Sequence, residues 1–185
     1  CYTHVYSHAH AHVRMFCACI YMCEPCLAVI LVGDNTASGI YVKNKVHTAE
    51  KNGIKSVKVI LSNKVSEANL LNEILKLNED QNVDGILVQL PLPVHISEKN
   101  IIHSINPMKD VDGFHPINFG KLFMGDPNFV PCTPLGCYYM LKNELKELSG
   151  KNAVIIGRSN IVGKPMASVL LASNCSVTIT HSKTK

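Results

Sequence analysis

The feature that most constrains the fold is a regular alternation of short apolar runs with helix-like stretches. Residues 27–32 read LAVILV, an unbroken apolar strand of the kind that parallel sheets bury on both faces. Further short strands are predicted at 57–61 and 85–90, with helices at 38–52 and after the capping residue Ser66. This alternation predicts an α/β architecture with parallel strands and right-handed crossovers.

A second unit of the same kind begins after Gly150. Its apolar strand at 153–156 is followed by a turn, a helix through Leu171 and a strand at 176–180. The segment 107–131 between the two units is rich in proline and glycine and is predicted to be a loop. We therefore expect two α/β domains with a boundary at this proline-rich junction.

The junction gives the predicted domain limits. Residues 1–25 are a His- and Cys-rich, low-complexity stretch that stays unassigned, 26–132 form the first domain, and 133–185 form a Rossmann-type domain. A Rossmann domain has two βαβαβ halves, and 133–185 supply barely one βαβ unit. We expect this second domain to be truncated and the sequence to be partial.

Composition and charge exclude several kinds of partner. With 18 Lys+Arg against 14 Asp+Glu, the chain has a net charge of +4 and contains no Trp. This suits a small anionic ligand and is too weak to indicate nucleic acid. The apolar stretch at 15–23 is far shorter than the roughly 20 residues of a membrane span, so no membrane partner is expected. We expect a cytoplasmic protein, with an organelle left open because the start of translation is not visible.

A metal site is not expected either. Cys23 and Cys26 form a CxxC beside an HxHxH at residues 8–12, a combination that zinc could bind. No second cysteine pair has finger-like spacing, and the histidines lie in an Ala/His repeat. The low-complexity interpretation is therefore favoured.

The turn GRSNIVG at 157–163 follows an apolar strand and opens a helix. Glycines at such a turn let the backbone approach a pyrophosphate, whose charge lies at the helix N-terminus. The spacing departs from GxGxxG, because Ser159 replaces the middle glycine and one extra residue precedes Gly163. The pattern alone leaves open an ordinary strand–helix turn.

The charges around this turn favour NADP as the cofactor. NAD-selective sites place an acidic residue about 20 residues after the turn, and here no Asp or Glu follows Glu147. Arg158 lies in the turn, and His181, Ser182 and Lys183 follow the second strand. Cationic and hydroxyl donors favour a ribose 2′-phosphate, which a carboxylate would repel.

Candidate ligand-binding residues also occur in the first domain. Ser38, Tyr41 and Lys45 lie at i, i+3 and i+7 on one helical stripe, although an exposed lysine beside a half-buried tyrosine would show the same spacing. Gln89 interrupts a buried strand near its carboxyl end, where ligands bind in open parallel sheets, or it is a satisfied core amide. Asp112, within KDVDGF, could recognise an amino-heterocycle or form turn hydrogen bonds.

Five stretches of the chain, in order, resemble the signatures of the bifunctional methylenetetrahydrofolate dehydrogenase/methenyltetrahydrofolate cyclohydrolase family. They are VGDNTASGIYVKNK (32–45), DGILVQLPLP (84–93), PMKDVDGFHPINFGKL (107–122), PCTPLGC (131–137) and GRSNIVGKPMASVLL (157–171). Five consecutive blocks are far more specific than any one of them. The resemblance covers about residues 26–185.

The resemblance implies a three-layer α/β folate-binding domain followed by a Rossmann-type NADP-binding domain, with the folate cleft between them. The implied activity is NADP-dependent oxidation of 5,10-methylenetetrahydrofolate to 5,10-methenyltetrahydrofolate and hydrolysis of this product to 10-formyltetrahydrofolate. The expected partners are tetrahydrofolate one-carbon derivatives, and the full-length protein is expected to be a homodimer.

The resemblance also assigns roles to matching positions. Lys45 would be the catalytic lysine, supported by Gln89, while Tyr41 would stack on the aminobenzoate ring and Asp112 would hold the pterin amino edge. The other implied substrate contacts are Ser38, Leu90 and Pro91. The implied cofactor contacts are Gly157, Arg158, Ser159, Gly163 and Ser182.

Two other functions stay open at this point. One is an inactive fragment that binds nucleotide or other subunits without turnover. The other is a different NADP oxidoreductase with the same fold, because a fold alone does not determine function. The candidate residues of the first domain argue against the second alternative, since cofactor binding does not require them.

Overall fold

The protein is described here by a computed structural model, which covers residues 24–34 and 36–185. The chain divides into two compact units between Val111 and Asp112. The segment 112–131, which the sequence assigns to the first domain, thus lies in the second compact unit. A helix within this segment packs against another helix of that unit, which accounts for the difference. The domain limits themselves stay a prediction.

In the described part of the first unit, strands and helices alternate along the chain. The elements are β1 (Cys26–Val32), α1 (Thr36–Lys51), β2 (Lys55–Leu61), α2 (Glu67–Glu79), β3 (Gly85–Val88) and α3 (Glu98–Ser104). The strand order is β2-β1-β3, and both pairings are parallel. All residues of the central strand β1 are buried, as predicted from its unbroken apolar sequence.

The two faces of β1 are covered by different helices. Ala28 and Ile30 pack in a core cluster with Leu70 of α2 and Ile101 of α3. Val29 and its neighbours at alternate positions pack in a second cluster with α1. Because successive side chains of a strand point to opposite faces, the result is a helix–sheet–helix arrangement. The predicted three-layer α/β architecture is confirmed.

The second unit contains the predicted strand–helix–strand motif. Its elements are α4 (Pro116–Phe123), α5 (Cys132–Leu145), β4 (Asn152–Ile156), α6 (Gly163–Ala172) and β5 (Ser176–Thr180). The strands β4 and β5 pair in parallel, and α6 packs against both strands and against α5. Met166 and Leu170 of α6 form the core there with Leu148 and Cys175. This is the Rossmann-type βαβ unit that the sequence predicts.

Two predicted elements differ from the structure. The segment predicted to be a loop contains α4, which begins at Pro116 and is capped by the side chain of His115. Proline at the first helical position is a start signal that the high local glycine and proline content obscured. The predicted strand at 85–90 ends at Val88, and Pro91 and Pro93, which carry no amide hydrogen, keep the ladder from resuming beyond it.

A carboxylate joins the N-termini of α2 and α3. Glu67 lies in the first turn of α2, whose cap Ser66 is as predicted. Its Oε1 accepts a hydrogen bond from Asn100 Nδ2 at 2.8 Å, and its Oε2 accepts one from Ser97 N at 2.7 Å. These hydrogen bonds, from Asn100 above all, lower the pKa of Glu67. The folded state therefore favours the ionised carboxylate.

We expect Glu67→Gln to reduce the free energy of unfolding in a pH-dependent way. Because the folded pKa lies below the unfolded value of roughly 4.3, the contribution is fully present above that value and is lost as pH falls through the folded pKa. Urea unfolding of both proteins from pH 7 to pH 3 measures the difference. Glu79→Gln, at an exposed position of the same helix, controls for the charge change. A difference between wild type and Glu67→Gln that does not shrink at low pH would contradict the prediction.

Candidate functional site

The structure brings Lys45 and Gln89 together, although they are far apart in sequence. Lys45 Nζ donates a hydrogen bond to Gln89 Oε1 at 3.2 Å. Gln89 Nε2 donates to the carbonyl of Leu90 at 2.7 Å, and the backbone N–H of Gln89 donates to the carbonyl of Ile30 at 2.9 Å. The side-chain amide is thus held at both ends, with its oxygen directed to the amine.

The position of this pair follows from the sheet. Gln89 comes directly after β3, and its backbone bond to Ile30 extends the pairing with β1 by one step. Lys45 and Gln89 are both half-buried, so the amine is oriented but not sealed from solvent. In open parallel sheets, ligands bind beyond the carboxyl ends of the strands. The sequence singled out Gln89 for this reason, but placed it inside the strand.

The other candidates on α1 differ in exposure. Ser38 is buried, whereas the Tyr41 side chain is 61% exposed. An exposed phenol ring on the same helix as Lys45 is available for stacking on a planar ligand. The half-buried tyrosine considered from the spacing is therefore not what the structure shows. The roles of both residues stay predictions.

The loop after Gln89 supplies two further candidates. Leu90 is half-buried and Pro91 is exposed, and the peptide bond between them is cis. The KDVDGF segment runs beside β3, because Ile86 N donates to the carbonyl of Lys109 at 2.7 Å. Asp112 of that segment begins the second compact unit, so its place in a shared site stays a prediction.

The turn before α6 requires glycine at both ends. Gly157 has φ +120°, and a Cβ on Gly163 would lie 2.4 Å from the carbonyl oxygen of Gly157. Side chains larger than hydrogen are therefore excluded where the helix N-terminus approaches the turn. Such a close approach of bare backbone suits a phosphate group, as the sequence predicts.

Ser159 has a local role that sequence reasoning missed. Its Oγ accepts hydrogen bonds from the backbone N–H groups of Val162 and Gly163, both at 3.2 Å. It therefore caps two amide groups at the start of α6, and a serine four residues before the first residue of that helix was the available signal. A hydroxyl that accepts through its oxygen still has a hydrogen to donate, so a contact with an anion is compatible with the cap.

Donor groups gather at the carboxyl edge of the β4–β5 sheet. The register pairs Ile156 with Thr180, so the residues after both strands emerge at the same edge. Arg158 and Ser182 are exposed there. The turn after β5 is held by its own side chains, with His181 N donating to Thr184 Oγ1 at 2.8 Å. A cation and hydroxyl groups at one edge fit the phosphates of NADP.

Metal binding is not indicated in the parts of the chain that the structure describes. Within residues 24–34 and 36–185, no group of three or more His, Cys, Asp or Glu side chains could hold an ion. Cys23 and the histidines of the HxHxH stretch lie outside the described residues. None of the described helices has both the length and the apolar character to cross a membrane.

Comparison with protein families gives two matches. The model for the tetrahydrofolate dehydrogenase/cyclohydrolase catalytic domain matches residues 4–112. The model for the NAD(P)-binding domain of the same family matches residues 131–185. The first match includes most of the stretch at 1–25 that the sequence analysis left unassigned.

Curated relatives are similar over most of the chain. The bifunctional protein FolD of Listeria innocua is 56% identical over 162 residues, which are 88% of this chain and 57% of that protein. The bifunctional protein FolD of Ehrlichia canis is 53% identical over 167 residues, 89% of this chain and 56% of that protein. The chain thus spans little more than half the length of these relatives.

Solved structures have the same fold. The bifunctional FolD enzyme of Campylobacter jejuni, a methylenetetrahydrofolate dehydrogenase/cyclohydrolase, has a TM-score of 0.85 and 48% identity, covering 100% of this chain and 62% of that one. A Trypanosoma brucei methylenetetrahydrofolate dehydrogenase-cyclohydrolase, complexed with NADP and an inhibitor, has a TM-score of 0.87 and 32% identity, covering 99% of this chain and 62% of that one.

Proposed function

The chain belongs to the tetrahydrofolate dehydrogenase/cyclohydrolase family, and from this premise we propose that the polypeptide carrying it is a bifunctional folate enzyme. It oxidises 5,10-methylenetetrahydrofolate with NADP+ and hydrolyses the methenyl product to 10-formyltetrahydrofolate. The observation that carries the proposal is the Lys45 amine, held 3.2 Å from the oxygen of Gln89. Because the chain covers 57% of the Listeria relative, the activity is proposed for the complete polypeptide.

The first unit supplies the folate-binding groups. The exposed ring of Tyr41 stacks on a planar part of the substrate, which leaves the Lys45 amine beside the one-carbon bridge. In the hydrolysis, a water oxygen bonds to the bridging carbon, one carbon–nitrogen bond breaks, and one proton is released. The role of Lys45 is to transfer protons between water and the substrate nitrogen, and Gln89 keeps the amine in position.

The second unit supplies the cofactor-binding groups. Bound NADP+ provides the hydride acceptor. Gly157 carries no side chain, and even an added Cβ would meet nothing within 4 Å, so the backbone of the turn is open to the pyrophosphate. Arg158 and Ser182 are exposed at the sheet edge where the ribose 2′-phosphate is expected. These residues bind and orient the dinucleotide.

Measuring turnover with both dinucleotides tests the proposal. We expect the complete polypeptide to form the methenyl product with a clear preference for NADP+ over NAD+. The absorbance of the methenyl product monitors the reaction. Dinucleotide binding without turnover would instead support the non-catalytic alternative.

The Arg158 guanidinium should determine part of this preference. In Arg158→Ala, KM for NADP+ should rise about 10- to 100-fold, because a hydrogen bond between charged groups contributes about 1.5–3 kcal/mol. KM for NAD+, which lacks the 2′-phosphate, should change little. Lys151→Ala is the control, since Lys151 is exposed and precedes β4 at the opposite end of the strand. Equal losses with both dinucleotides would contradict this role.

The homodimer and the cytoplasmic location expected from the sequence stay predictions. Light scattering of the complete polypeptide tests the first, and microscopy of the tagged polypeptide tests the second.

A further inference from the structure

The loop between β3 and α3 is attached to α3 by a side-chain carboxylate. Gln89 begins this loop, and the prolines at 91 and 93 carry no amide hydrogen. The amide between them, that of Leu92, donates a hydrogen bond to Glu98 Oε1 at 3.3 Å. Glu98 lies in the first turn of α3. The carboxylate therefore contacts the backbone three residues after Gln89, through a hydrogen bond slightly longer than the ordinary range.

The first turn of α3 is itself fixed to α2. The two oxygens of Glu67 accept from Ser97 N at 2.7 Å and from Asn100 Nδ2 at 2.8 Å. On the same side, His95 Nε2 lies 2.8 Å from the carbonyl oxygen of Val65. These hydrogen bonds hold the first turn of α3 in place, so the backbone that carries Glu98 is fixed.

Apolar contacts keep the loop folded independently of Glu98. Leu92 and Ile96 are buried in the core cluster that contains Leu70 and Ile74. We therefore expect the loop to stay packed on the core when the Glu98 carboxylate is removed. An effect on catalysis can then be separated from an effect on stability.

We propose that Glu98 is a positioning residue for the catalytic lysine, acting through the Leu92 amide, the loop backbone and the Gln89 side chain. The inference rests on the proposed function, in which Lys45 transfers protons during hydrolysis. The Lys45–Gln89 hydrogen bond is 3.2 Å long, at the long end of the ordinary range, so a small shift of Gln89 breaks it. Small displacements of a catalytic group have large effects on rate.

Three variants of the complete polypeptide test this role. Glu98→Ala should lower kcat for methenyltetrahydrofolate hydrolysis roughly tenfold with little change in KM, because orientation and not substrate binding is lost. Glu98→Gln keeps an oxygen that accepts from the same amide and should restore most of kcat. Lys99→Ala, an exposed residue in the same turn, should match the wild type. All three should keep the thermal midpoint of the wild type.

Two results would overturn the inference. One is a Glu98→Ala enzyme with unchanged kcat, and the other is a Glu98→Gln enzyme as impaired as Glu98→Ala.

A second measurement does not depend on turnover. The side-chain amide resonances of Gln89 in a ¹⁵N–¹H spectrum should shift in Glu98→Ala and stay in place in Lys99→Ala. An inactive wild type would count against the proposed function alone, and the Gln89 resonances would then decide the inference. Resonances that do not move in Glu98→Ala would overturn it.

Discussion

Lys45→Met is expected to abolish hydrolysis of 5,10-methenyltetrahydrofolate by the complete polypeptide, lowering kcat by about 10²- to 10⁴-fold, the range that a positioned proton-transfer group contributes. Methionine has nearly the length and volume of the lysine stem but cannot donate or accept a proton. The hydrogen bond to Gln89 Oε1, 3.2 Å long, is lost as well. Oxidation by NADP+ should fall much less, because hydride transfer requires orientation and not an acid or base at this position.

The matched control for this prediction is Lys43→Met. Lys43 is exposed on the same helix, and its substitution removes the same charge as Lys45→Met. The activities of the Lys43→Met enzyme should therefore stay close to those of the wild type. Folate binding, measured by fluorescence quenching, distinguishes a loss of catalysis from a loss of substrate binding. A Lys45→Met enzyme that still hydrolyses the methenyl substrate at the wild-type rate would exclude the proposed role.

The strands and most helices of this fold could be predicted because their signals are local. The run at 27–32 is buried as the central strand β1, and Ser66 caps α2 as expected. Helix α4 was missed because composition alone does not predict where a helix begins. The segment is rich in proline and glycine, yet it contains a helix that starts at a proline. Local patterns therefore identified strongly periodic elements better than short ones.

The candidate site could be predicted only in part. Spacing placed Ser38, Tyr41 and Lys45 on one helix, but spacing gives no distance to a residue on another element. The Lys45–Gln89 bond depends on how α1 packs against β1 and on where β3 ends. The Ser159 cap was missed for a different reason, since the serine was interpreted only as a ligand contact. Contacts between elements thus required the structure.

Gly163→Ala is expected to destabilise the second unit and to remove most NADP+ binding. A Cβ at this position would lie 2.4 Å from the Gly157 oxygen, 2.8 Å from the Gly157 carbonyl carbon and 3.0 Å from Arg158 Cα. All three are backbone atoms, which cannot rotate away as a side chain can. The turn or the start of α6 must therefore shift, at a cost of about 1–3 kcal/mol in the free energy of unfolding.

The matched control is Gly120→Ala, in α4 of the same unit, where an added Cβ would meet nothing within 4 Å. Alanine is favoured over glycine inside a helix by about 0.5–1 kcal/mol, so this change should be neutral or stabilising. Urea unfolding compares the two variants, and calorimetric titration with NADP+ compares their binding. Both substitutions add the same methyl group. If only Gly163→Ala is destabilising, the cause is the backbone clash at the nucleotide turn and not a general effect of replacing glycine by alanine. Equal stability and equal NADP+ affinity of the two variants would contradict the assignment of Gly163 to this turn.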